Sequence, residues 1–256
     1  MRNPERVLNS LSEHSKVSSY KFERLYRVLF NSEMFLLAYH NIQGRQGNMT
    51  EGSDGKTIDG MSLKRIENLI DALKDESYQP KPARRTYIPK KNGNMRPLGI
   101  PSIDDKLVQE VLRMLLEAIY EGSFENTSHG FRPKRSCHTA LIQVQKNFTA
   151  AKWFIEGDIE GFFDNINHNW MIENVRMDKS ILKKWLKSGV VDRQQLMATT
   201  AGTPQGGIIS PALANWTLNG LESGLMAHLS AKFGKTKAGR LKVGVVRYAD
   251  DFVVTG

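Results

Sequence analysis

The sequence predicts a mixed α+β fold on three observations. Amphipathic segments, with apolar residues three and four positions apart, are interleaved with short β-prone runs. Turn residues at 92–93 and at 249–251 each separate two such runs, which is typical of hairpins. Because hairpins imply antiparallel pairing, the mixture favours α+β over a doubly wound parallel sheet. The runs of helical and β-prone segments before and after residue 150 differ, so we expect two subdomains, 1–150 and 151–256.

The first 100 residues read as helices, a loop and a hairpin. In residues 21–42 apolar side chains recur at helical spacing, and this predicts helical segments that are interrupted near 31–32. Residues 43–60 are rich in Gly, Ser, Asn and Asp, which predicts a long mobile loop. The next helix starts after Ser62 and ends before Pro80. Its predicted buried stripe is Leu63, Ile66, Leu69, Ile70 and Leu73. A hairpin around residues 92–93 follows.

Serine caps mark the next two helices. Ser102 precedes one helix, with acidic residues in its first turn, and Ser136 precedes another. A buried strand is predicted at 153–155, turning into loop near Asp158. Helices are predicted near 168–177 and 180–188. A glycine-rich loop then leads into one long helix capped by Ser210, and the chain closes with strand, turn and strand.

Composition narrows the classes of function. The 256 residues are 40% hydrophobic and 25% charged, as in a globular protein, and the net charge of +9 favours a nucleic-acid partner over a membrane. A merely basic enzyme is the alternative. Cys137 is the single cysteine, which excludes an internal disulfide and a CxxC metal site and suits the cytoplasm. We see no signal peptide and no apolar stretch that could span a bilayer, so we expect no membrane partner.

Three carboxylates carry the main chemical hypothesis. Asp250 and Asp251 lie at the tip of the last hairpin, and Asp158 follows the apolar run at 153–155. If both strands share a sheet, their carboxylates converge into a cluster that suits Mg²⁺. Two such ions could clamp the attacking and leaving oxygens of a phosphoryl transfer. The alternative for the adjacent pair is an Asx-type turn.

Basic residues flank the first hairpin and could hold a triphosphate. Lys90, Lys91 and Arg96 surround the turn, and Arg84 and Arg85 lie just upstream. Arginine suits bidentate phosphate contacts and lysine acts as a point charge. The alternative is an ordinary solvated basic surface.

Several stretches together resemble a known family. The stretches IEGDIEGFFDNI, GTPQGGIISPALANWTLNGLE and RYADDFVVTG look like motifs A, B and C of reverse transcriptases. The stretches RRTYIPKKNGNMRPLGIPSIDDKLVQ and GFRPKRSCHTAL resemble the first two blocks of the group II intron-encoded branch, and EGSDGKTIDG resembles its N-terminal extension. The resemblance covers nearly the whole chain in the expected order. It implies a right-hand polymerase, with fingers over 1–150 and palm over 151–256.

The resemblance also implies roles for single residues in the palm. Asp158 and Asp250 would hold two catalytic Mg²⁺ ions, Asp251 would support them, and the carbonyl of Ile159 would complete one shell. Tyr248 and Ala249 would border the primer end. The implied dNTP-binding residues are Lys90, Arg96, Gly161, Phe162, Phe163 and Gln205. Phe163 would be the steric gate that excludes the ribose 2′-OH; a core phenylalanine is its alternative.

RNA contacts are implied along two basic runs. The residues concerned are Arg84, Arg85, Lys91, Arg132, Lys134 and Arg135. The last three precede a capped helix, where charge and helix amides suit template phosphates. The alternative is that they cover the start of that helix. Partners implied in this way are intron RNA, an RNA template, a DNA primer and dNTPs.

The family continues beyond motif C with more palm and a helical thumb, whereas this sequence stops at Gly256. We therefore expect a truncated palm without a thumb, weak or missing activity, and a free sheet edge that allows a homodimer. Three functions stay open. One is a reverse transcriptase with a maturase role in splicing and intron mobility. Another is an RNA-binding maturase without polymerase activity. The last is a retron, diversity-generating or CRISPR-associated reverse transcriptase.

Overall fold

A computed structural model describes residues 3–17, 19–90, 93–149, 151–203 and 206–256. Within these ranges the α-helices are α1 Pro4–Ser15, α2 Ser32–Gln43, α3 Leu63–Lys74, α4 Ile103–Tyr120, α5 Cys137–Phe148, α6 Phe162–Asn165, α7 His168–Asn174, α8 Lys179–Leu186, α9 Ser210–Thr217, α10 Leu221–Phe233 and α11 Lys235–Arg240. The strands are β1 Ala83–Pro89, β2 Met95–Ile100, β3 Phe154–Asp158, β4 Val190–Asp192, β5 Gln195–Met197, β6 Gly244–Tyr248 and β7 Asp251–Thr255. This mixture agrees with the predicted α+β class. No helix in the described part of the chain has the length and apolar character needed to cross a bilayer.

The chain forms two compact units, each built from two stretches. The first unit comprises Met1–Gly122 and Phe163–Ser210, and the second comprises Ser123–Phe162 and Pro211–Gly256. These units do not divide the chain at residue 150. The assignment of 1–150 as fingers and 151–256 as palm therefore stays a prediction.

The first unit is built around α4, which is buried along almost its whole length. Two of its acidic residues are buried with their partners. Asp105 accepts hydrogen bonds from the Tyr78 hydroxyl at 2.5 Å and from the Ser102 hydroxyl at 2.7 Å. Glu110 pairs with Arg113 at 2.7 Å. Such paired carboxylates hold the core together, so they are not candidates for catalysis.

The sheet of the first unit has the strand order β2-β1-β4-β5. The β1–β2 hairpin is antiparallel with Ile88 opposite Arg96, as the turn residues predict, whereas β4 joins β1 in parallel. Gly93 has φ +83° in the turn, a conformation that suits glycine. The hairpin thus presents its basic turn on exposed strand ends.

Helix caps agree with the sequence predictions. The side chains of Ser62, Ser102 and Ser136 each accept a hydrogen bond from a backbone N–H in the first turn of α3, α4 and α5. Asn31 caps α2 in the same way. The break predicted near residues 31–32 therefore lies between a 3-10 turn at Leu25–Phe30 and the start of α2. Local hydrogen bonding is enough to start these helices.

Several expectations about elements need correction. Leu63 is 67% exposed, while the rest of its predicted stripe is buried. Helix α1, capped by Asn3 with Pro4 in its first turn, was not predicted. The predicted long helix after Ser210 is divided into α9 and α10, because Gly220 lies between them with φ +97°.

The remaining correction concerns the loop 43–60. It was expected to be mobile, but it contains two 3-10 turns and is fastened to its own unit at several points. Arg84 donates to the carbonyl of Glu51 at 2.8 Å, and Ser53 donates to the carbonyl of Pro82 at 2.6 Å. These bonds give the backbone of the loop partners that its composition does not reveal.

The second unit contains a three-stranded antiparallel sheet of order β3-β7-β6. Helix α5 packs on β6, and at its end Phe148 contacts Phe154 with ring centroids 5.3 Å apart. Strand β3 lies at the edge, with Phe154 58% and Ile155 56% exposed. The expectation of a buried strand at 153–155 was therefore wrong, since the apolar run lies at an open edge of the sheet.

Candidate active site

The predicted carboxylates come together at one end of the β3-β7-β6 sheet. Strand β3 continues to Asp158, beyond the predicted loop start, and pairs with β7 so that Asp158 lies opposite Asp251. On the other side of β7, Tyr248 of β6 lies opposite Asp251. Asp250 and Ala249 form the two-residue turn between those strands. Asp158 and the hairpin tip therefore share one sheet end, as the sequence predicts.

A fourth carboxylate, Glu156, belongs to the same face. It lies two residues before Asp158 in β3, and alternate residues of a strand share a face. Burial raises the pKa of Asp251, and the negative charges of Asp250, Asp158 and Glu156 raise it further. Clustered carboxylates that oppose one another's ionisation are a site for a cation. The spacing of Glu156 from Asp158 was the signal that sequence reasoning missed.

The donor set fits a hard divalent cation, since it consists of carboxylate oxygens at the end of one sheet. Asp158 and Asp251 are exposed and Asp250 is half-buried, so the oxygens are accessible. Among the described residues, however, no three side chains of His, Cys, Asp or Glu are already gathered tightly enough to hold an ion. The backbone brings the strand ends together, and the carboxylates would still have to turn toward a common point.

The turn before Asp250 is tightly enclosed. Ala249 has φ +58°, a left-handed conformation that is uncommon for a residue with a Cβ. Gly130 approaches it so closely that an added Cβ would lie 2.4 Å from the Ala249 nitrogen. Only glycine fits at position 130, so the surrounding backbone leaves this turn little freedom.

Arg247 lies beneath the turn and was missed by the sequence reasoning. It is only 2% exposed. Its guanidinium donates to the carbonyl of Ala249 at 2.9 Å, to the Asn215 side chain at 3.1 Å and to the Ser128 hydroxyl at 2.7 Å. Burial lowers the pKa of Arg247 to about 10. The feature of the sequence that could have indicated a buried arginine is its position directly after the apolar pair at 245–246.

The segment after Asp158 begins with a tight turn. The Phe162 N–H donates to the carbonyl of Ile159 at 3.2 Å, and Gly161 has φ +58°. This bond engages two groups for which other roles are implied, the carbonyl of Ile159 toward a metal and the amide of Phe162 toward a triphosphate. The Phe162 N–H would have to leave this bond to reach a triphosphate, whereas the carbonyl oxygen of Ile159 has a second lone pair that a metal could use. The Phe162 side chain is buried.

The other residues predicted to bind a nucleotide belong to the first unit. Lys90 and Arg96 are exposed on the β1–β2 hairpin. Phe163 is half-buried, and its carbonyl accepts a hydrogen bond from the N–H of Thr203 at 2.7 Å. Gln205 and Lys91 lie outside the described residues. Gly206 follows with φ +105°, and an added Cβ there would be 2.6 Å from the carbonyl oxygen of Gly99.

The three residues before α5 that are predicted to contact RNA differ from one another in burial. Arg132 is 8% exposed, and it donates to the carbonyls of Glu125 and Ser128 at 2.7 Å each. That position favours the alternative in which Arg132 supports the start of a helix. Lys134 is exposed, and Arg135 is half-buried and donates to the carbonyl of Asn126.

Three further residues with predicted roles are half-buried. Arg85 and Arg84 are half-buried on β1, where Arg84 is engaged with the loop 43–60. Tyr248 is half-buried, and its hydrogen bond with Cys137 raises its pKa. Tyr248 ends β6 next to the turn, and its place at the primer end stays a prediction.

Comparison with known proteins identifies the class. Residues 88–256 match the family described as reverse transcriptase (RNA-dependent DNA polymerase). The chain therefore belongs to the reverse transcriptase family. Reverse transcriptases use divalent metal ions, which agrees with the carboxylates at the end of the sheet.

Similar proteins place the chain near the intron-encoded branch. It is 44% identical over 244 residues to group II intron-encoded protein LtrA of Lactococcus lactis subsp. cremoris, covering 92% of this chain and 40% of LtrA. It is 42% identical over 239 residues to a 91 kDa protein in the cob intron of Schizosaccharomyces pombe, covering 89% and 30%. It is 37% identical over 270 residues to protein YkfC of Escherichia coli K12, covering 92% and 71%. The resemblance to group II intron-encoded proteins is thus confirmed, and the chain spans about two fifths of the length of LtrA.

Proposed function

We propose that the chain carries the polymerase site of an RNA-directed DNA polymerase encoded by a group II intron. The observation that carries this proposal is the pairing of Asp158 with Asp251 beside the turn that holds Asp250. In a member of the reverse transcriptase family, three aspartates at one sheet end have a direct use, which is to bind the cations of nucleotidyl transfer. RNA binding alone gains nothing from them.

Within this proposal Asp158 and Asp250 hold two Mg²⁺ ions, and Asp251 supports them. The carbonyl of Ile159 supplies a further oxygen through the lone pair that the Phe162 N–H does not use. When bound, the ions lower the cost of the charge that develops on the attacking and leaving oxygens. The backbone fixes where those charges are met, because Asp158 and Asp251 stand on paired strands and Asp250 lies in the tight turn next to them.

The nucleotide is held mainly by positive charge. Lys90 and Arg96 are exposed and flank one turn, so both can reach phosphate oxygens. Gly161 and Phe162 offer amides, and Gln205 contacts the nucleotide. Phe163 fills the space of a ribose 2′-OH. Tyr248 and Ala249 border the primer end.

In this scheme residues 1–150 form the fingers and 151–256 the palm of a right-hand polymerase. The same chain binds RNA as a maturase, in splicing and intron mobility. Exposed Lys134 and the basic residues Arg84, Arg85 and Arg135 support RNA contacts, as does the net charge of +9. We also propose that the protein acts in the cytoplasm, with a DNA primer, an RNA template and dNTPs as partners.

Primer extension on an RNA template tests the polymerase function. Since LtrA is longer than this chain, the assay compares the chain alone with a chimera in which it replaces the matched part of LtrA. With Mg²⁺ and dNTPs we expect the chimera to extend the primer, and Asp250→Asn to lower kcat by at least about 100-fold while leaving the Kd for RNA unchanged. Full extension by Asp250→Asn would remove the metal role of that residue.

The gate is tested in the same chimera. Phe163→Ala should admit ribonucleotides, and Phe163→Tyr should still exclude them because the ring remains. The ratio of kcat/KM for dNTP and NTP measures this difference. An unchanged ratio in Phe163→Ala would show that the side chain has only a packing role.

One observation favours a second candidate, an RNA-binding maturase without polymerase activity. In the described ranges the acidic side chains are not gathered into a group of three that could hold an ion. If the chimera binds intron RNA and promotes splicing but never extends a primer, this second function replaces the first. RNA binding itself should weaken steeply with salt, since phosphate contacts release counterions.

A further inference from the structure

A buried arginine under the last hairpin has no carboxylate partner among the ion pairs of the described residues. Arg247 of β6 has its guanidinium enclosed by neutral acceptors: the Ala249 carbonyl, the Asn215 amide oxygen and the Ser128 hydroxyl. Its Nε is buried and has no hydrogen-bond partner in the described part of the protein. Taking a guanidinium out of water opposes folding, and the nearby charge of Glu125 offsets this only in part, since the pKa of Arg247 is still lowered. A general stabilising role therefore does not explain this arrangement.

The arginine joins three segments at one point. Its own backbone accepts from the N–H of His129 at 2.8 Å and donates to the carbonyl of Thr127 at 2.8 Å, so residues 127–129 extend the sheet beside β6. Asn215 of α9 accepts from the guanidinium and donates to the carbonyl of Gly130 at 2.7 Å. The strand, the segment before α5 and helix α9 are thereby linked into one hydrogen-bonded network.

That network ends on the peptide group that precedes Asp250. The carbonyl of Ala249 belongs to the Ala249–Asp250 peptide, and it accepts from Arg247 at 2.9 Å. Gly130 packs against the preceding Tyr248–Ala249 peptide, where an added Cβ would lie 2.4 Å from the Ala249 nitrogen. Because the two peptides that flank the Ala249 Cα are restrained, one by a hydrogen bond and the other by close packing, the direction in which the Asp250 side chain leaves the backbone is also restricted.

We propose that Arg247 is a positioning residue: through the carbonyl of Ala249 it fixes the turn that aims the carboxylate of Asp250 at the cation. Asn215 is its partner, because it orients the guanidinium and holds Gly130 against the turn. The inference rests on the proposed function, since it gives Asp250 a metal to bind. It adds a residue that touches neither the cation nor the nucleotide and acts through the backbone. Partners of this kind usually tune metal affinity strongly.

The experiment compares Arg247→Met, which keeps the length of the side chain but removes its donors, with Arg247→Lys, which keeps the charge and one donor group. The matched control is Asn219→Ala. Asn219 accepts from the Glu125 N–H and donates to the carbonyl of Ser123, so its loss weakens the same unit without touching the turn. Asp250→Asn is the reference for the metal site itself.

Two readouts are taken on folded protein, below the melting temperature of every variant. Electron paramagnetic resonance measures Mn²⁺ affinity, and hydrogen exchange measures the amides of residues 244–256. We expect Arg247→Met to raise the Kd for Mn²⁺ about tenfold and to speed exchange at the turn. Arg247→Lys should recover part of both effects, and Asn219→Ala should match the wild type in both.

The outcomes separate two failures. If Asp250→Asn weakens Mn²⁺ binding but Arg247→Met does not, or if Asn219→Ala weakens it equally, Arg247 has no positioning role and the proposed function stands. If Asp250→Asn binds Mn²⁺ like the wild type, the metal role of Asp250 fails. Hydrogen exchange at the turn then decides about Arg247. Unchanged exchange in Arg247→Met shows that Arg247 does not restrain the turn. Faster exchange shows that Arg247 restrains the turn although Asp250 does not bind the cation.

Discussion

Two hairpins carry residues assigned to nucleotide chemistry, and they are built in opposite ways. The β1–β2 hairpin bears Lys90 and Arg96 on an exposed end, and its turn uses Gly93, where no atom of the described residues lies within 4 Å of an added Cβ. The β6–β7 hairpin bears Asp250 and Asp251, and its turn uses Ala249, which is enclosed by Gly130 and tied to Arg247.

We infer that the difference reflects the ligand proposed for each hairpin. Long cationic side chains can find a phosphate from a loose turn, because their charge acts over distance and their stems are flexible. Short carboxylates must meet a small cation within a few tenths of an ångström, so the backbone has to aim them. The enclosed turn is thus preorganised for its proposed ligand, and the open turn is adaptable.

The largest effect is expected from adding one methyl group to each turn region. Gly130→Ala should lower the free energy of unfolding by about 2 kcal/mol, since the new Cβ would collide with the backbone of Ala249. Gly93→Ala should cost only about 1 kcal/mol, from its left-handed conformation in open space. Urea denaturation of both variants measures the two values. Equal losses would mean that the two turns are not different in packing.

A smaller effect is expected when the open hairpin loses its charges. Lys90→Ala and Arg96→Ala should each raise the KM for dNTP about tenfold in the LtrA chimera, because each removes one charge-assisted contact worth about 1.5 kcal/mol. The value of kcat should change little, since these side chains bind the nucleotide without aiming the aspartates. Steady-state primer extension separates the two constants. A loss confined to kcat would place these residues in the chemistry and break the comparison.

The smallest effect concerns the charge of Asp251. Its pKa is raised, so ionisation of this carboxyl opposes folding once the pH passes its native pKa. In chelator at neutral pH, Asp251→Asn should therefore be more stable than the wild type, by less than about 1 kcal/mol because the group is exposed. The difference should vanish below about pH 4, where the wild-type carboxyl is protonated in both states. Thermal denaturation with a chelator checks this, and a less stable variant at neutral pH would contradict the charge cluster.

The sequence predicts what local interactions decide. Ser62, Ser102 and Ser136 start helices because a cap needs only its own first turn. The convergence of Asp158 with the last hairpin was also predictable, since both follow β-prone runs and share a sheet. These features depend on residue type and spacing, which a sequence displays directly.

Features that depend on distant partners were not predictable. The apolar run at 153–155 reads as buried, but only the position of β3 at the sheet edge reveals that it is open. Arg132 and Arg247 both read as ordinary basic residues, and only the packing around residues 124–130 shows that they are buried. Gly130 could not be singled out for the same reason, because its neighbour Ala249 is more than 100 positions away in the chain.

The central claim is that the aspartates at the end of the β3-β7-β6 sheet bind divalent cations while the basic hairpin does not contribute to that binding. A titration with Mn²⁺, followed by electron paramagnetic resonance, tests it on three proteins: the wild type, Asp158→Asn/Asp250→Asn and Lys90→Ala/Arg96→Ala. We predict two bound ions in the wild type and in the hairpin variant, and none in the aspartate variant at the same Mn²⁺ concentration. Undiminished binding by the aspartate variant would contradict the account.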